Sequence, residues 1–180
     1  MKKGFIIILT AVFLLTGCGA LNNTPTKQVE MMLADYQTLN QDVLDDLDRV
    51  VEKETALQGE QKEEYRELMK KHYKDLIYNV KEEKIDGDEA IVTVEIDVKD
   101  YTKVLSSANN YLNEHPEEFK DATGNYDETK FMAYRLEKLK ETKDRVKYTM
   151  EIGVTKKDER WVVNDLTEEQ EQKLHGIYQY

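Results

Sequence analysis

One cysteine, Cys18, stands in the 180 residues. A disulfide within the chain is therefore excluded, and so is any site built on paired C-x-x-C cysteines. Glycine-rich phosphate loops, G-x-S-x-G elbows and H-E-x-x-H helices are missing too, so the sequence implies no cofactor. Positive charge is scarce: 26 Lys and Arg stand against 37 Asp and Glu, a net charge of −11. Nucleic-acid binders carry a basic footprint, which argues against nucleic acid as a partner and against a domain lying flat on anionic lipid. The apolar stretch Gly4 to Leu15 falls short of the roughly 18 to 20 residues that cross a bilayer.

What is present begins with that stretch. Met1-Lys2-Lys3, the apolar run, and Thr16-Gly17 follow the order of a secretory signal: positive start, apolar centre, small residues at the processing site. Leu15-Thr16-Gly17-Cys18 resembles the lipobox of bacterial lipoproteins, in which the cysteine thiol receives a diacylglycerol and becomes the new N-terminus. The resemblance implies residues 1–17 as a signal peptide, lipidated Cys18 with a short tether over 18–24, and a single domain over 25–180. Two acyl chains hold a protein stably where one does not, each buried methylene adding about 0.8 kcal/mol. The membrane is thus an expected partner through the lipid, and the extracytoplasmic face of the cell membrane the expected location. Loss of Lys2 and Lys3 leaves the mature part at −13, a balance that favours solubility.

Along the mature part, Thr24-Pro25 is a helix start. Val29, Met32, Tyr36, Leu39, Val43, Leu47 and Val50 follow at steps of three and four, predicting one helix of about 27 residues. A second stripe runs through Tyr65, Leu68, Met69, His72, Tyr73 and Leu76, and the two read as an antiparallel pair. Near Tyr78 the period falls to two. Ala90, Val92, Val94, Ile96 and Val98 alternate with Ile91, Thr93, Glu95 and Asp97 after the turn pair Asp86-Gly87, which predicts a half-buried strand in a hairpin.

Helical spacing returns from Tyr101 to Asn113 and ends at His115-Pro116. The aperiodic stretch "PEEFKDATGNYDET" precedes a further helix from about Glu128 to Lys143. Val146, Tyr148, Met150, Ile152 and Val154 then alternate, and "RWVVNDL" answers across "KKDE" as a second hairpin. Thr167 and Gln170 form a capping box for a short last helix. The expected class is α+β, order ααββααββα, with helices on one face of a curved antiparallel sheet made of two hairpins.

Three segments, "TPTKQVEMMLADY", "DGDEAIVTVEI" and "ERWVVNDL", resemble small bacterial lipoproteins whose exported part is a cystatin-like or nuclear-transport-factor-2-like domain. The resemblance implies helices packed on a curved sheet and assigns no activity.

Candidate chemistry is sparse. His72 lies on the apolar stripe of its helix, as a general base in a cavity or as a hydrogen-bonded core histidine. His115 and His175 show no partner in the sequence. Asp86 and Asp88 around Gly87, and Asp121, Asn125 and Asp127, hint at calcium but lack the alternating ligands and distal glutamate of an EF-hand loop; turn chemistry and helix capping explain them, and no metal site is expected. Tyrosine is abundant, with eleven against the two mature phenylalanines, Phe119 and Phe131, and Trp161. Buried tyrosines need partners for their hydroxyls, so Tyr36, His72, Tyr73, Tyr148 and Trp161 are the candidate pocket-lining residues, against plain core packing. The expected role is a membrane-anchored, non-enzymatic binding or interaction module for a protein, peptide or envelope component. The alternative is a small-pocket enzyme of the ketosteroid-isomerase-like type, with His72 or an inward tyrosine acting on a small apolar substrate.

Overall fold

A computed structural model describes residues 23–179; Cys18 and the signal-like residues 1–17 lie outside the described residues, as does most of the expected tether. Helix α1 spans Pro25–Thr38, its N-cap Thr24 accepting from the Lys27 amide at 3.1 Å. Here the expected 27-residue helix divides. Leu39 turns left-handed at φ +56°, Asn40 caps the next helix, and α2 runs Gln41–Lys53. The break resets the buried face of α2 to Val43, Leu47 and Val51, leaving Val50 exposed. Helix α3 follows over Glu60–Lys74.

Strands β1 (Ile77–Asp86) and β2 (Glu89–Lys99) make the first hairpin. Its two turn residues are Gly87 and Asp88, one position later than the expected Asp86-Gly87 pair, with Gly87 at φ +61°. Helix α4 (Tyr101–Glu114), a 3-10 turn over Pro116–Phe119 and helix α5 (Glu128–Glu141) come next. Strands β3 (Arg145–Lys157) and β4 (Arg160–Val163) form the second hairpin, and α6 spans Glu168–Leu174 with its capping box in place. Helical, two-strand, helical, two-strand, helical is the expected order. The sheet is antiparallel and open, with strands in chain order β1-β2-β3-β4.

Alternation on β2 and β3 decides which face is dry. Val92, Val94, Ile96, Tyr148, Met150 and Ile152 are buried against Val29 and Leu33 of α1 and Leu174 of α6. Helix α1 touches all four strands. Glu95, Asp97 and Glu151 belong to the opposite face, where Asp97 pairs with Arg145 at 2.5 Å and Glu95 with Lys147 at 3.4 Å.

The remaining helices pack on one another and on α1 rather than on the strands. Val43, Leu47, Leu68, Tyr73, Tyr101 and Leu139 form a second core there. Phe119, Phe131 and Ala108 make a smaller aromatic one beneath the aperiodic stretch. The C-terminal turn joins the layers: the Gly176 carbonyl accepts from the Tyr101 and Thr102 amides at 2.9 and 3.1 Å, capping α4. Gly176 has φ +69°, and a Cβ there would stand 2.1 Å from the Lys99 carbonyl oxygen, so only glycine fits.

Candidate functional site

The helical layer gathers three of the five candidate residues. Helix α1 presents Tyr36, α3 presents His72 and Tyr73, the first residue of α4 is Tyr101, and His175 ends α6. The Tyr36 and Tyr73 rings meet edge to face with centroids 5.1 Å apart. The Tyr73 hydroxyl is hydrogen-bonded to His175 Nε2 at 3.0 Å. His72 lies 4.8 Å from the Tyr101 ring, centroid to centroid. Its Nε2 is 2.8 Å from the Leu174 carbonyl; a carbonyl only accepts, so Nε2 carries the proton. Nδ1, on the other side of the ring, is buried without a hydrogen-bond partner.

Burial sets the electrostatics. It lowers the pKa of His72 to about 4, with the Leu174 carbonyl acting against it and His175 and Arg145 with it. His175 is lowered to about 4 by burial alone. Burial raises the Tyr73 and Tyr101 phenols, the first helped by Tyr36 and the second by Tyr65. Both imidazoles and both phenols are consequently neutral at pH 7. A general base works best with a pKa near the working pH, and an imidazole near 4 is a weak one. The cluster therefore acts as a hydrogen-bonded tie between α3 and the C-terminal turn.

A cleft of about 200 Å³ opens beside it, lined by Tyr36, Tyr73, His175 and Glu171, with Arg49 and Lys53 among the charged residues of α2. Tyr148 and Trp161 do not join this group. Tyr148 lies in the sheet core, its hydroxyl donating to the Tyr178 carbonyl at 3.2 Å. Trp161 is on β4, its amide donating to Asn23 Oδ1 at 2.7 Å and its carbonyl accepting from Asn23 Nδ2 at 3.4 Å. The cluster thus takes in three of the five residues, and it includes His175, which shows no partner in the sequence and pairs with Tyr73 in the fold.

The acidic stretches have local duties. Asp121 Oδ1 accepts from the Thr123 and Asn125 amides and the Thr123 hydroxyl, which lowers its pKa, and Asp127 caps α5. Among the described residues no group of three or more His, Cys, Asp or Glu is placed to hold a metal ion. Nor is any described helix long and apolar enough to cross a membrane. No protein-family model matches the chain, and no curated protein and no solved structure matches it.

Proposed function

We propose that the protein is a lipid-anchored extracytoplasmic lipoprotein whose domain is a binding or interaction module rather than an enzyme. The observation that carries this reading is Leu15-Thr16-Gly17-Cys18 directly ahead of the folded domain. Asn23 is already clasped to the Trp161 backbone, and five residue steps from Cys18 reach at most about 18 Å. The domain is therefore held against the membrane surface, close enough to meet envelope components. Two neutral histidines tied to the Leu174 carbonyl and the Tyr73 hydroxyl support binding over acid–base chemistry.

The test is detergent-phase partition of the full chain and its Cys18→Ala variant from membranes, together with the intact mass of the N-terminal fragment. The wild-type chain should enter the detergent phase with a diacylglycerol mass on Cys18, and the variant should move to the aqueous phase. Equal partition, or an unmodified Cys18, overturns the anchor.

A further inference from the structure

A second cavity, of about 210 Å³, lies inside the helical layer, away from the Tyr73–His175 pair. It is lined by residues of α3, α4, α5, the α2–α3 connection and the C-terminal tail, and it opens to solvent beside Glu54 and Ile177. Leu57, Leu105, Leu136 and Ile177 make its apolar wall, and Tyr65, Tyr101 and Arg135 are its polar residues. Arg49, Arg66 and Arg145 each meet a carboxylate, whereas Arg135 and Arg160 meet none among the described residues. Arg160 is exposed, and Arg135 is half-buried. Its Nε is buried without a partner, Nη1 reaches only the Met132 sulfur at 3.4 Å, and the guanidinium stands 5.7 Å from the Phe131 ring centroid.

The hydroxyls of Tyr65 and Tyr101 also make no hydrogen bond among the described residues. Burial raises the Tyr65 phenol, the Glu54 carboxylate raises it further, and Arg135 acts the other way; all three residues line the cavity. Arg135 is half-buried; a guanidinium nitrogen taken from water without an acceptor is costly, and a planar donor fork matches a carboxylate. Glu54 also lines the cavity, but it is exposed, and one carboxylate oxygen is taken by the Ala56 amide at 3.1 Å. Its repulsion is screened by solvent. Apolar cavities of about 150 Å³ take up a benzene-sized body, so this one suits a body of about eight carbons.

We propose that this cavity binds a small monocarboxylate with an apolar body, the carboxylate on Arg135 with the Tyr65 and Tyr101 hydroxyls donating, and the hydrocarbon against Leu57, Leu105 and Leu136. The inference rests on the binding-module reading and names its ligand class; it does not depend on the anchor.

The test is calorimetric titration of the full chain with octanoate, octanol and octylammonium, comparing wild type with Arg135→Gln in the same preparation so that uptake by the apolar N-terminal run cancels. Octanoate should bind one per chain, and Arg135→Gln should weaken it by about tenfold or more, leaving octanol unchanged. Leu105→Trp, which fills the cavity and leaves the charge, should weaken octanoate and octanol alike. Equal octanoate binding by wild type and Arg135→Gln, or a preference for octylammonium, overturns the proposal. So does an absence of octanoate binding in wild type, and in that case the partition result for Cys18 still stands on its own.

Discussion

At the scale of single residues, His72 is one of two histidines, with His175, whose protonation the fold opposes. Its ring is 2% exposed and faces Tyr101, Tyr73 and the Leu174 carbonyl, with His175, Arg145 and Asp75 as the charged or titratable neighbours. The folded pKa of about 4 lies below the ordinary value of 6.5, so the unfolded chain binds a proton that the folded chain refuses. Stability from this residue is complete above pH 6.5, falls as pH drops, and is spent once pH passes about 4. The loss amounts to about 2 kcal/mol by pH 5. Urea denaturation at pH 7.5 and pH 5 should show His72→Phe less stable than wild type at the higher pH, since the Leu174 carbonyl loses its donor, yet with a shallower decline between the two. Parallel declines would mean that His72 is not the titrating group.

The same scale shows what a sequence hides. His72 and Tyr73 were visible as candidates because they sit on an apolar helical stripe, and Tyr36 because it shares the stripe of α1. His175 was not, since its partner Tyr73 is far away in sequence and nothing local marks the end of a short helix as buried. Arg135 carried a readable signal: Met132, Arg135, Leu136 and Leu139 stand at helical spacing on the α5 stripe, an arginine where a leucine would be expected. Tyr148 is inward-facing as expected and Trp161 lies on the last strand, but inward on the sheet leads to a different core from inward on α3.

At the scale of elements, alternation and capping were legible and breaks were not. The three- and four-residue spacing passes through Tyr36, Leu39, Val43 and Leu47 without interruption, so periodicity reports one helix where the chain makes two. The mark of the break was Asn40, an N-cap residue followed by Asp42 in the first turn. Turns show a similar gap between composition and geometry. The β3–β4 connection places both Asp158 and Glu159 at positive φ, +48° and +65°, the pattern of a type I′ turn, which glycine or asparagine ordinarily fills. Left-handed backbone costs a side-chain-bearing residue roughly 1–2 kcal/mol. The Glu159 side chain, 92% exposed, holds only an ion pair with Lys156 at 3.2 Å, a contact of little worth in solvent. Glu159→Gly should therefore raise stability by about 0.5–1 kcal/mol, seen as a higher denaturation midpoint with an unchanged slope. A loss of stability would mean that the Lys156 pair or the unfolded chain outweighs backbone strain.

At the scale of the whole molecule, the two largest cores of the described chain meet at α1. One lies between the sheet and α1 with α6; the other lies among α2, α3, α4 and α5. The sheet presents its second face outward, and this division gives the sharpest comparison the fold offers, because β2 carries two isoleucines on opposite faces. Ile96 is 0% exposed and stands opposite Tyr148, under Val29 and Leu33; Ile91 is 45% exposed and stands opposite Gly153. Both have the same side chain on the same inner strand, paired on both sides, so intrinsic strand preference largely cancels between them. Ile96→Ala removes buried methyl groups and leaves a cavity, a loss of about 2–5 kcal/mol. Ile91→Ala changes a surface already in contact with water and should cost no more than about 1 kcal/mol. Denaturant unfolding of the two variants reads the difference directly. Comparable losses would require a cover on the outward face, and a rise in the apparent stability of Ile91→Ala with protein concentration would identify that cover as a second copy of the chain.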